Sequence, residues 1–214
     1  MRIGILGTGM VGQTIGTRLT QLGHEVRMGS RDAGSEKSRH WVTQAGPNAS
    51  NGTFADAAAF GEVVFNCTSG DGSIPALKAA GAKHLDGKVI VDVSNPLNTS
   101  KLPLPELTFC NDDSLGERIQ REFPRAKVVK SLNTMNCHVM VDPKKVGGEH
   151  DVFVSGNDAE AKATVKELLR EFGWDNPIDL GDITSARGAE MLLPIWLRLM
   201  VAFKSPTFNF HVAR

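Results

Sequence analysis

The junction between Ile3-Gly4-Ile5-Leu6 and Gly7-Thr8-Gly9-Met10-Val11-Gly12 constrains this chain more than any other stretch. The apolar run reads as a buried strand, and the residues from Met10 onward read as a helix. The glycines between them make a tight turn. The first permits the turn, the second lets backbone approach a pyrophosphate, and the third lets the helix pack on the strand. The helix N-terminus adds free N–H groups and about half a positive charge. A second strand, His24-Glu25-Val26-Arg27-Met28, follows within the ~30 residues of a βαβ unit. The expectation is a dinucleotide site.

The end of that second strand selects the nucleotide. An NAD site wants an acid there for the ribose hydroxyls. This chain has Ser30-Arg31 instead. A hydroxyl and a planar guanidinium suit a 2′-phosphate, so the expected cofactor is NADP(H). The competing reading makes Arg31 a solvated loop residue and Asp32 the ribose acid.

Strand and helix signals then alternate. Strands are expected at Thr53-Phe54, 62–67, 88–93 and 126–132, with helices at 35–44, 56–60, 74–80 and 114–123. Ser114 and Glu117 have the spacing of a capping box. Residues 98–105 read as a loop. Further on, 150–155 and 177–180 read as strands, 158–172 as an amphipathic helix, 185–203 as one apolar helix and 206–214 as a tail. The pattern predicts an α/β fold, a doubly wound parallel sheet with a small C-terminal α/β extension. A dinucleotide-binding domain is expected over 1–142. Residues 143–214 are expected to pack on it as a small segment and to form a dimer contact.

In open α/β sheets the ligand lies outside the carboxyl ends of the strands. That rule nominates Gly7, Thr8, Gly9, Met10, Val11 and Gly12 after the first strand, and Ser30 and Arg31 after the second. It adds Thr68 and Ser69, Asn95 and Pro96, then Asn133, Thr134 and Met135, after the later strands. Asn95 and Asn133 suit a carboxamide or a second substrate equally as they suit ordinary turns.

Other constellations read as structural. Cys137-His138 has no second ligand at helical spacing, so a buried or capping histidine is expected rather than a metal site. Cys67 reads as packing and His24 as structural. Arg187 and Glu190 have the spacing of an i,i+3 ion pair, the alternative being a place at the mouth of the cleft. The apolar stripe at Met191, Leu192, Ile195, Trp196, Leu199, Met200 and Phe203 exceeds what one helix on a small domain hides, which suggests a homodimer.

Lys+Arg and Asp+Glu are 24 each, a net charge of zero, so no nucleic-acid or membrane partner is expected. Three cysteines without metal spacing suggest a reduced, cytoplasmic protein. The chain enters a core strand at once, leaving no room for a signal peptide, and the apolar region 191–203 is too short to span a bilayer. Tyrosine is absent, which removes the Tyr-Lys pair of many NADP reductases.

With these residues in view, the chain resembles the NADP-dependent oxidoreductases of the coenzyme F420 (deazaflavin) type. The resemblance rests on the opening Ile-Gly-Ile-Leu-Gly-Thr-Gly, on Gly29-Ser30-Arg31-Asp32 and on Val93-Ser94-Asn95-Pro96-Leu97. It rests also on Val129-Lys130-Ser131-Leu132-Asn133-Thr134 and Ala186-Arg187-x-x-Glu190. It covers nearly the whole chain. More distantly, the chain is similar to the cytoplasmic reductase domain of six-helix membrane metalloreductases. The resemblance implies that Ser30 and Arg31 hold the NADP 2′-phosphate and that backbone at 133–136 lies by the nicotinamide. It implies hydride transfer between NADPH and a deazaflavin or flavin-like small-molecule acceptor, with coenzyme F420 as co-substrate and no catalytic acid or base. The family's Pro-aromatic-acid-His segment is replaced here by Thr68-Ser69-Gly70-Asp71-Gly72-Ser73-Ile74, and Lys37 stands further from the Ser-Arg pair than the family's usual basic residue. Reduction of an imine, carbonyl or ferric chelate, and a non-catalytic NADP-binding redox sensor, remain alternatives.

Overall fold

The computed structural model describes residues 1–101 and 104–213. The loop expected at 98–105 therefore lies outside the described residues at Leu102 and Pro103, as does the tail at Arg214.

The first half alternates as the apolar spacing requires. β1 (Arg2–Leu6), α1 (Met10–Gln21), β2 (Glu25–Ser30), α2 (Glu36–Ala45), β3 (Ala49–Thr53), α3 (Phe54–Phe60), β4 (Val63–Asn66) and α4 (Gly70–Ala80) follow one another. A single turn, α5 (Ala82–Leu85), leads to β5 (Val89–Asp92). Then come a two-stranded hairpin, β6 (Leu97–Asn98) and β7 (Glu106–Leu107), α6 (Leu115–Glu122) and β8 (Lys127–Ser131). The chain continues through α7 (Cys137–Met140), β9 (Phe153–Gly156), α8 (Ala159–Phe172), β10 (Ile178–Asp179), α9 (Ala186–Met191) and α10 (Leu193–Phe203).

The sheet order is β10-β9-β8-β5-β4-β1-β2-β3. From β3 to β8 every pairing is parallel, β9 runs antiparallel to β8, and β10 runs parallel to β9. The chain after residue 142 thus adds two strands to one edge of the sheet. Order reverses between β1 and β4, and the crevice above such a switch point is where this architecture takes ligands.

One core lies between the sheet and α1, α2 and α8, around Ile15, Leu19, Trp41, Val165 and Leu168. The other lies between the sheet and α3, α4 and α6, around Ala57, Leu77, Leu85 and Ile119. Strands covered on both faces bury every position, which is why β4, Val-Val-Phe-Asn, is wholly buried and apolar up to its last residue.

Several expected boundaries shift, among them the strand expected over 150–155, which is β9 at Phe153–Gly156. The strand expected at Thr53-Phe54 is β3, which ends at Thr53. Polar Ala-Ser-Asn-Gly forms its ladder only because β2 lies beside this edge. Phe54 instead opens α3 under a Thr53–Asp56 capping box. Helix α4 begins at Gly70, not 74, because Ser73 Oγ donates to the Ser69 carbonyl and draws Gly-Asp-Gly into the first turn. The single helix expected over 185–203 is broken into α9 and α10. Pro194 has no N–H to donate back, so it starts a new helix.

Candidate cofactor site

β1 delivers the glycine turn to the switch point. Gly7 has φ +117°, and a Cβ there would stand 2.7 Å from the Cys67 carbonyl oxygen, so the turns after β1 and β4 touch. Gly9 precedes α1 in extended conformation, and a Cβ on it would meet nothing within 4 Å. At Gly12 a Cβ would lie 2.3 Å from the Gly7 carbonyl oxygen. The Gln13 amide donates to the Thr8 carbonyl at 2.9 Å and fixes the turn. No side chain caps α1 and no acid stands in its first turn, so its N–H groups are left to a ligand.

The end of β2 supplies a cationic rim. Ser30 is buried, and its hydroxyl donates to the Asp32 carbonyl. Arg31 is exposed and, among the described residues, makes no ion pair or hydrogen bond; the same holds for Lys37 in the first turn of α2. Asp32 Oδ1 accepts from the Gly34 N–H at 2.8 Å, so that carboxylate is engaged in its own turn. These groups share one cavity of about 930 Å³, lined by Gly7, Thr8, Gly9, Ser30, Arg31, Asp32, Lys37, Thr68 and Ser69, with Phe54, Pro75 and Ala76 as an apolar wall. The donor set fits a dinucleotide with a 2′-phosphate: an open backbone turn, an uncapped helix end and two unpaired cations, with Ser30 rather than an acid at the carboxyl end of β2. Lys37 was not among the nominated residues; its sequence signal, a second cation shortly after Ser-Arg, was present but six positions on.

The remaining nominated residues lie outside that lining. Met10 is 64% exposed, Val11 is half-buried and Gly12 is packed against Gly7. Asn95 and Asn133 bond one another: Asn133 Nδ2 donates to Asn95 Oδ1 and Asn95 Nδ2 to the Asn133 carbonyl, each at 2.9 Å. Pro96 is buried, and its carbonyl accepts from the Thr108 N–H at 2.8 Å. Thr134 and Met135 are buried, and Asn136 caps α7 by accepting from the His138 N–H at 2.9 Å.

Beneath these loops lies a buried polar network that the sequence reading missed. Asn66, Asp92 and Lys130 stand side by side on β4, β5 and β8. Lys130 Nζ donates to Asp92 Oδ2 at 2.7 Å and to the Ser94 carbonyl at 2.6 Å, and contacts Glu190 Oε1 at 2.7 Å. Asn66 Nδ2 and Ser94 Oγ donate to Asp92 Oδ1 at 2.8 and 2.6 Å. Thr68 Oγ1 joins through Asn66 Oδ1 at 2.7 Å. Burial alone would lower the Lys130 pKa, but the Asp92 and Glu190 carboxylates outweigh it and hold it above the ordinary lysine value. A lysine inside an apolar strand gives no signal of its partners, because those come from other strands and a distant helix.

The expected Arg187–Glu190 pair does not form. Glu190 is buried and accepts from the Leu115 and Gly116 N–H groups at 2.9 and 3.1 Å, at the start of α6. Arg187 instead pairs with Glu117 at 2.6 Å, and its guanidinium holds that carboxyl below the usual range. Glu117 consequently takes the Ser114 hydroxyl rather than closing a capping box on the Ser114 N–H. His138 is neither buried nor a cap but exposed, while Cys137 beside it is buried. Cys67 is buried, and burial first, then Asp92, pushes its thiol well above the ordinary range, which suits packing rather than nucleophilic attack.

A family model described as NADP oxidoreductase, coenzyme F420-dependent, matches residues 2–96. A crystal structure of a candidate F420-dependent NADP reductase from Arthrobacter sp. FB24 is 53% identical, with a TM-score of 0.94 over 99% of each chain. The F420-dependent NADP reductase of Methanocaldococcus jannaschii is 29% identical over 96% of this chain and 95% of that one. The rat metalloreductase STEAP3 is 32% identical over 96% of this chain, which spans only 38% of that protein.

Proposed function

The chain belongs to the coenzyme F420-dependent NADP oxidoreductase family, and on that premise we propose that it transfers a hydride between NADP(H) and a deazaflavin acceptor, coenzyme F420. The observation that carries the cofactor half is the Arg31 guanidinium, unpaired on the rim of the cavity that also holds the glycine turn. In this reading Gly7, Thr8 and Gly9, with the first-turn N–H groups at Met10, Val11 and Gly12, take the pyrophosphate. Ser30 and Arg31, joined by Lys37, take the 2′-phosphate. Thr68 and Ser69 flank the dinucleotide, and Asn95, Pro96, Asn133, Thr134 and Met135 form the nicotinamide side.

Bound NADPH supplies the hydride equivalent; the protein's contribution is orientation and exclusion of water. No side-chain acid or base is assigned a catalytic role. The protein is proposed to act as a cytoplasmic homodimer, a reading supported by three free cysteines and by apolar side chains exposed on α10. Among the described residues no helix is long and apolar enough to cross a membrane.

Replacing Arg31 with Ala tests the cofactor assignment. Its loss should weaken NADPH by about 1.5–3 kcal/mol, the worth of a charge-assisted contact, and leave NADH nearly unchanged. Equal weakening of both nucleotides would remove the 2′-phosphate role. The likeness to the metalloreductase supports a second reading, a ferric chelate as acceptor, which turnover with ferric citrate in place of F420 would favour.

A further inference from the structure

We infer that Lys130 is a positioning residue for the nicotinamide side of the site, setting the Asn95–Asn133 amide pair from inside the protein; this rests on the reading above that these two loops face the nicotinamide.

The Lys130 side chain has no exposed surface, so it touches no ligand. Its three N–H groups are matched by three oxygens, on Asp92, Ser94 and Glu190, so none is left to serve as a proton donor in turnover. Those three oxygens lie on separate pieces of the fold. Asp92 ends β5, the Ser94 carbonyl immediately precedes Asn95, and Glu190 lies on α9 while its carboxylate receives the first N–H groups of α6. One ammonium therefore fixes the loop after β5 to the end of β8 and to the C-terminal helices.

The loop after β8 needs such a fixture. Leu132 has φ +64°, a left-handed conformation that a branched side chain adopts only when its surroundings impose it. It directly precedes Asn133. The strained residue is flanked by Lys130 on one side and by the Asn95–Asn133 pair on the other, and the Ser94 carbonyl connects the two. Releasing Lys130 takes away the anchor on the Ser94 carbonyl, although the Ser94 N–H and hydroxyl still donate to Asp92 Oδ1, and so loosens the clasp on Asn133 and lets Leu132 relax. The glycine turn and the Ser30–Arg31 rim stand at the ends of β1 and β2 and make none of these bonds; the network reaches their cavity only at Thr68, through Asn66, so most of the cofactor's grip is kept.

The test uses Lys130→Met and, beside it, the triple variant Lys130→Met, Asp92→Asn, Glu190→Gln. The triple variant leaves no unpaired buried charge and so keeps the fold where the single substitution does not. Three quantities are read: the NADPH dissociation constant, the fluorescence anisotropy of the bound nicotinamide, and the single-turnover rate of hydride transfer to F420. The variants should bind NADPH within about threefold of the unsubstituted protein. The anisotropy should fall toward that of free NADPH, and the transfer rate should drop by about 100-fold, as a displaced reacting group produces. Melting temperature is followed in parallel with Val165→Ala, a core substitution remote from the loops, which should lower stability without moving the anisotropy. Unchanged anisotropy and rate would overturn the inference, as would a loss of NADPH affinity as large as the loss of rate. Should the unsubstituted protein bind NADPH without reducing F420, the acceptor reading fails and the anisotropy alone decides the role of Lys130. Absence of NADPH binding would overturn both.

Discussion

A Cβ added at Gly9 would meet no atom within 4 Å, whereas one at Gly12 would stand 2.3 Å from the Gly7 carbonyl oxygen. The two glycines of one motif thus serve different ends, and substitution separates them. Gly9→Ala should fold with unchanged melting temperature, since its φ is −77°, yet lose NADPH affinity because the methyl occupies the space left for the pyrophosphate. Gly12→Ala should lose stability by about 1–3 kcal/mol through overpacking, whether or not nucleotide is present. Thermal melts and NADPH titrations of both variants check this, and loss of stability at Gly9 would contradict the assignment. At this scale the motif residues and Ser30-Arg31 could be nominated from neighbours in sequence, and Gly7, Thr8, Gly9, Ser30 and Arg31 do line one cavity. The network of Lys130, Asp92 and Glu190 could not, since a buried charge is defined by partners that only the fold assembles. For the same reason Arg187 and Glu190, properly spaced for each other, are drawn to Glu117 and Lys130 instead.

Between elements, α8 is tied to the outermost strand by Asp179 on β10, which pairs with Lys162 at 2.8 Å and Lys166 at 2.9 Å. Burial would raise the Asp179 pKa, but hydrogen bonds from the two ammoniums hold it at about 2, below the ordinary 3.8. A folded-state value below the unfolded one stabilises the protein above the unfolded value, and that stabilisation is lost as pH falls from about 4 to about 2. Asp179→Asn should therefore lower the denaturation midpoint near neutral pH, with the difference closing toward pH 2. A difference that persists undiminished at pH 2 would show that the charge is not its source. Element types were legible wherever an apolar run was bounded by turn residues, as in β1, β4, β5 and α8. β3 was expected too far along the chain, because its polar sequence becomes a strand only beside β2; the misses were the one-turn helices α5 and α7, the hairpin β6–β7 flanking the proline-bearing loop, and the division of α9 from α10 at Pro194.

For the whole molecule, the alternation of strands and helices was enough to foresee the doubly wound sheet, but not the antiparallel β9, whose direction is set by how the chain returns after α7. The C-terminal helix leaves Ile195, Val201 and Phe203 between 47% and 59% exposed, on a chain with no net charge to keep copies apart. Sedimentation should accordingly give twice the chain mass, and Ile195→Glu with Val201→Glu should return it to a monomer; a monomeric unsubstituted protein would dismiss the homodimer. The most direct measurement on the central claim is anaerobic mixing of the purified protein with NADPH and coenzyme F420, following the loss of oxidised deazaflavin absorbance. Catalytic reduction of F420 by NADPH, and much slower reduction by NADH, is the predicted result. Tight NADPH binding with F420 left oxidised would contradict it.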